Sequence, residues 1–514
     1  MKKIRKFVFI VPVSIMIAAL CVYTVEPIRY INAMESMNIF IGKKMGWFYC
    51  VVGLLLCGIC AGVYFSPLGD KVVGGENAKP LLKKWNWFCV SLCTTMAAGI
   101  LFWSAAEPVI HLVTPPEFLH LESNSYEAGI FSMSTLFLHW GITPYAIYCA
   151  PAVMFAFVYY NMGKTYGFSH CLQPLLGEKK ITRNMPKYID TLCLFITATG
   201  LAASLGMGIL SVSGGLAQSF RIQSNTLILV LIGAGIVIAF VVSSTSGIMK
   251  GIKWLSVWNT RIFIAILLFA LLMGPTSFIV NYFSESFGYY ISHFFEKSLM
   301  LGAGTGSDWT RLWSVQYFGS WLAWAPMTAL FLGKIAYGHK FKDMILFNLI
   351  LPSMFSMVWV GILGGNAVYL QLHDTDLVKV IDNTGIENVL YEVFRSFPFS
   401  DIVIPILTFT VFLSFVTAAD STTNAMANLC VSTARRGTGE PPKTIKIILG
   451  VLIGLISIIM VTGKGVDGIK ILSTIAGLPA AILIAAVGIS LIKVMRVPDR
   501  YMLQDKEEKD EGRK

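Results

Sequence analysis

The sequence predicts an all-α polytopic membrane protein with about twelve transmembrane helices. Three observations carry that expectation. The 514-residue chain is 55% hydrophobic and only 13% charged, with a mean hydropathy of +0.68, a balance that would leave a soluble globule coated in apolar side chains. Apolar runs of the roughly 20 residues needed to cross about 30 Å of hydrocarbon recur along the whole chain. No soluble domain, low-complexity tract or long linker separates them.

The first run, 7 to 25, continues into bulky residues where a cleaved leader would end in small ones, so it is expected to stay as a span. Further spans fall at about 46–65, 86–113, 129–160, 190–219, 226–247, 254–283, 314–336, 341–370, 401–433, 443–462 and 469–495. The connectors 284–312 and 371–400 hold amphipathic stretches that read as short interfacial helices, and the charged C-terminal "DKEEKDEGRK" reads as a disordered tail. Translocation disfavours positive loops. With the N-terminal MKKIRK inside, cytoplasmic segments collect roughly 29 of the 40 Lys and Arg and external ones about 10, so both termini are expected in the cytoplasm and the chain in the plasma membrane. The net charge of +11 has the same origin and is no nucleic-acid footprint.

Spans three and eight each hold a backbone disturbance inside apolar sequence: Ala97, Ala98 and Gly99 in "MAAGILFW", and Pro326 in "WAPM". They lie five spans apart. That matches two five-span halves in inverted repeat, with the binding site at the repeat interface. The chain then divides into two leading helices (1–85), a first repeat (86–283), an external connector (284–313), a second repeat (314–495) and a short tail (496–514).

Most candidate chemistry is excluded by what the polar residues do. The ten Cys lie in or beside apolar segments, and the Cys57/Cys60 pair reads as small packing residues in mid-span. The seven His form no ligand motif, and His139 reads as a packing residue, so no metal or other cofactor is expected. A membrane enzyme would need a ligand cluster or a nucleophile–base pair, and a channel a selectivity motif; neither pattern is present in the sequence.

The aromatic residues carry the positive signal. Trp313, Tyr317, Trp321 and Trp324 in "WSVQYFGSWLAWAP" fall within about 80° of one helix face. In span four, "LHWGITPYAIY" gathers Trp140, Tyr145 and Tyr148 around Pro144, which can turn their rings toward a shared space. A quaternary ammonium cannot donate a hydrogen bond. Ring faces supply negative potential without demanding donors, at about 2 kcal/mol or more per desolvated ring, and avoid a buried carboxylate that would suit Na⁺ or a lysine equally well.

These strings, with "GILFWSAAEP", "GLAASLGMG", "KGIKWLS" and "FVTAADS", resemble in order and spacing the betaine/choline/carnitine transporters. The resemblance spans most of the chain. It implies a leucine-transporter-like fold, secondary transport by alternating access, and assembly as a homotrimer. It implies that Trp140, Tyr145, Tyr148, Trp321 and Trp324 form a substrate cage, and that Met96 to Gly99 present an unwound backbone to substrate and ion. Two departures open the cage on one side: Ser320 stands where typical members have Trp, and Tyr145 where many do. Sodium-coupled members place two adjacent hydroxyls in span ten, where this chain has Thr417 and Ala418. Sodium-independent exchangers place an Arg from span seven against that position, which Arg261 is expected to supply, although Asn259 holds the matching register and Arg261 lies about 200° further round the helix. The resemblance also implies that the short mixed-charge tail gives no strong osmotic activation. Glu107 and Asp420 read as structural hydrogen-bonding residues inside spans.

Overall fold

A computed structural model describes residues 4–96, 98–177, 184–245, 249–431 and 441–502, with backbone alone for residue 98 and residues 249–253. Nine described helices are long and apolar enough to cross a membrane, ten if one bent pair counts as a single span. Two more complete the expected twelve. The 54-residue helix at the C-terminal end would run roughly 80 Å if straight, and it bends at Gly465 (φ 55, ψ −132) into two spans. The helix Gln316–Ile335 escapes a hydropathy count because Gln316, Ser320 and its Trp and Tyr rings are polar by that measure, yet nearly all of it is buried.

The first helix, α1 (Lys6–Val25), leads into α2 (Pro27–Phe65), which begins with a proline in its first turn where no N–H is needed. Residues 27–45, expected as a connector, are thus helical. Their Gly42 and Gly46 leave room for Arg311 and Val315, which a Cβ would meet at 2.6 and 2.9 Å. The third span is broken as expected, into α3 (Lys84–Thr95) and α4 (Ala98–Val113), bent by 62°. Span four is α5 (Tyr126–Trp140) and α6 (Ile142–Ala156). Its bend lies at Gly141 rather than at Pro144. Gly141 has ψ −128, and a Cβ there would stand 2.4 Å from Phe137 O, whereas Pro144 sits in the first turn of α6 and costs no hydrogen bond.

Next come α7 (Met185–Phe220), α8 (Thr226–Thr245) and α9 (Met249–Met273). The seventh span ends sooner than its hydropathy suggests. Gly274 and Pro275 stop α9, and a separate amphipathic helix, α10 (Thr276–Ser292), lies against α5, where Tyr282 donates to Gly129 O. The eighth span differs too: α11 (Gln316–Ile335) runs unbroken through Pro326, and the irregular turn precedes it at Arg311–Val315. The last spans are α12 (Leu351–His373), α13 (Ser400–Leu429) and α14 (Lys443–Arg496). Helix α7 sits at the centre, against α4, α11, α13 and α14. Helices α11 and α14 cross closely, since a Cβ on Gly477 would stand 2.7 Å from Gly319 Cα.

Candidate functional site

The break between α3 and α4 opens the interior beside α5, α7 and α11. Met96 leaves the helical conformation (φ −85, ψ 72) after its N–H closes the last turn on Leu92 O. Ala97 lies outside the described residues, and Ala98 restarts the helix. Gly99 then meets the Trp140 ring, which a Cβ would approach to 3.3 Å. A cavity of about 60 Å³ lies here, walled by Gly99, Trp103, Trp140, Tyr148, Gly200, Tyr317, Trp321 and Trp324, with Thr95, Ser204, Met207, Gln316, Ser320 and Ser473 between them.

Trp321 is the hub of the rings. Its centroid lies 5.6 Å from Trp140, 5.1 Å from Tyr148 and 5.7 Å from Tyr145. Three of the four indole N–H groups at the cavity have a protein acceptor: Trp321 Nε1 donates to His139 O at 3.1 Å, Trp324 Nε1 to Gly200 O at 3.1 Å, and Trp140 Nε1 to Glu107 Oε2 at 2.9 Å. With their polar edges satisfied there, these three rings are held in fixed orientations and leave π surface for the cavity. Of the five expected cage residues, four line the cavity; Tyr145 is fully buried behind Trp321 and supports it. On the side where Ser320 replaces an aromatic residue, Gln316 Nε2 donates to Ser320 Oγ at 3.0 Å, which gives that wall a polar patch.

Glu107 does more than its sequence position suggested. Fully buried behind the rings, it accepts from His139 Nδ1 at 2.5 Å and lies 3.3 Å from His111 Nε2 through one oxygen, while the other accepts from Trp140 Nε1 and, at 2.6 Å, from the Tyr317 hydroxyl. His139 Nε2 continues to Ser314 Oγ at 2.8 Å. The carboxylate thus fastens α5 to α11 at the cavity wall, and His139 is part of a polar network rather than mere packing. Asp420 accepts from Ser243 Oγ at 2.6 Å, as a structural residue would.

The expected ion-mimic does not reach the site. Arg261 is exposed on the outer face of α9, its guanidinium 4.9 Å over the Trp258 ring, because two residues turn it away from the buried register. Asn259 takes the inward place and donates to Ser414 Oγ at 3.0 Å beside Cys93 of α3. Thr417 is buried on the same stretch of α13, its hydroxyl donating to Leu413 O and Ser414 O of its own helix.

Sequence reasoning left out Trp103, Gln316, Ser473, Met207 and Gly200 from the wall. Trp103 carried a usable signal, an aromatic four residues after Gly99 on the same face of α4; Gln316 starts the helix of the aromatic stripe itself, while Ser473, Met207 and Gly200 come from helices distant in sequence. The ectoine/hydroxyectoine transporter of Virgibacillus pantothenticus is 28% identical to this chain, covering 97% of it and 98% of its own length. The glycine betaine transporter OpuD of Bacillus subtilis (strain 168) is 27% identical, covering 93% and 92%. Among solved structures, the substrate-bound outward-open state of a Na⁺-coupled sialic acid symporter is similar with a TM-score of 0.47 at 14% identity, over 85% of each chain. The family model described as BCCT, betaine/carnitine/choline family transporter, matches residues 7–500, and the chain therefore belongs to that family of multi-pass membrane transporters.

Proposed function

We propose that the chain is a secondary transporter of quaternary ammonium solutes, such as betaine, choline, carnitine or γ-butyrobetaine, bound in the aromatic cavity between the broken third span and α11. One observation carries the reading: among the described residues that line the cavity none is charged, while six present aromatic rings. Such a wall suits a bulky cation that donates no hydrogen bond. If the solute is a zwitterion, the N-terminus of α4 at Ala98 and Gly99 supplies unpaired backbone N–H groups and a partial positive charge for its carboxylate.

The two five-span halves, 86–283 and 314–495, are read as inverted repeats that rock about this cavity, within a homotrimer and with both termini cytoplasmic. Thr95 and Met96, buried where α3 ends beside α11, support that arrangement. The neutral polar set at Asn259 and Thr417 supports transport without Na⁺. A second reading is favoured by the Gln316–Ser320 patch: a cyclic amidinium zwitterion of the ectoine kind has N–H groups that need acceptors, and these two side chains offer them. Calorimetric titration of the purified protein with betaine, choline, carnitine, γ-butyrobetaine and ectoine tests both. Saturable binding of a trimethylammonium compound is expected; binding of ectoine alone moves the assignment to the second reading, and binding of none overturns both.

A further inference from the structure

A lysine stands behind the cavity wall, over the ring of Trp103. Lys470 lies on the second half of α14, one turn before Ser473, which lines the cavity. Its ammonium sits 4.6 Å from the Trp313 ring centroid and 5.2 Å from that of Trp103. These two rings stand edge to face, 5.5 Å apart, and Trp103 also lines the cavity. Ring faces hold this cation, and the carboxylates of Asp467 and Glu107 act on it from further away. The nearest buried carboxylate, Glu107, is already taken by His139, His111, Trp140 and Tyr317, and Asp467, one turn before Lys470, is exposed.

A tethered positive charge beside a wall without charge treats two kinds of solute differently. A zwitterion brings a carboxylate that the ammonium attracts; a solute that carries only its quaternary nitrogen meets repulsion and must also compete with Lys470 for Trp103. We propose that Lys470 is a specificity residue that selects zwitterions over net cations at this cavity. The inference rests on the substrate reading above and deepens it.

The test is the ratio of choline to glycine betaine affinity, measured by titration of detergent-purified protein and by competition in proteoliposomes. Lys470→Met and Lys470→Gln should each shift the ratio roughly tenfold toward choline, the effect of one unit charge about 10 Å away in a partly screened interior, while Lys470→Arg keeps the parental ratio. Two neutral variants guard against a fold defect in one. A parent that binds neither compound overturns the substrate reading and the selector with it. A parent that binds, with a ratio that both neutral variants leave within twofold, or that Lys470→Arg shifts as far as they do, overturns the selector alone.

Discussion

At the scale of residues, Trp321 carries the sharpest expectation. Three rings pack around it and Ser320 offers no aromatic neighbour to share its role. Trp321→Ala should weaken binding of a quaternary ammonium by about 2 kcal/mol or more, roughly thirtyfold, and Trp321→Phe by less; titrations in which both variants match the parent would remove Trp321 from the site. Glu107→Gln tests the backing network. An amide cannot accept with both ends, so either the His139 side or the Trp140 and Tyr317 side loses its acceptor, at a cost of about 1–3 kcal/mol. The variant should unfold at lower temperature in a thermal scan and bind more weakly; unchanged values for both would mean that the carboxylate neither fastens nor orients the wall. The aromatic residues were legible in the sequence because helical spacing alone puts them on one face. Glu107 was legible as a hydrogen-bonding residue inside an apolar span, but its partners were not. Its four partners come from three helices, and no periodicity within one segment records such a meeting.

At the scale of elements, the apolar runs told where helices cross but not where they stop or bend. Those points depend on close approach between backbones. Gly141 is the clearest case: Pro144 is the louder letter, but a proline in a first turn is harmless, while Gly141 holds a conformation that leaves no room for a Cβ. Gly141→Ala should therefore disrupt the junction of α5 and α6, which positions Trp140 against α11. We expect at least about 2 kcal/mol of lost stability, with substrate binding lost in whatever folded protein remains. Gly58→Ala, where no atom lies within 4 Å of the added methyl, should be neutral in the same thermal scan and titration. If the two variants behave alike, the bend does not depend on Gly141. The boundary of α9 teaches the same lesson: hydropathy runs on past 273, but Gly274 and Pro275 end the helix, so the chain lays α10 against α5 instead of prolonging the span.

At the scale of the whole molecule, the open question is what drives the transport cycle. A sodium site between the broken third span and α13 would need hard oxygens converging from both. Ala418 contributes none, and the Thr417 hydroxyl spends its proton on Leu413 O and Ser414 O. Asn259 fills the space between Cys93 and Ser414. Its buried Oδ1, which has no protein partner, the Thr417 lone pairs and the hydroxyls of Ser414 and Thr260 are hard side-chain oxygens at hand there, and the adjacent thiol is a soft ligand poorly matched to an alkali cation. Arg261, turned to the outer face, supplies no resident positive charge either. A neutral polar bridge therefore joins α3, α9 and α13, and it can hold these helices together without a bound ion. On the proposal that transport runs without Na⁺, uptake of substrate into proteoliposomes should stay within about twofold when external Na⁺ is replaced by K⁺, because an ion drives a cycle only through its differential binding to the two conformations. Substrate loaded inside should stimulate it, and Arg261→Ala should leave both behaviours unchanged. Ala418→Ser restores the second hydroxyl and is expected to introduce a dependence on Na⁺ that the parent lacks. Parental uptake that vanishes when Na⁺ is withdrawn would overturn this reading and make Thr417 and Asn259 Oδ1 ligands of a working sodium site.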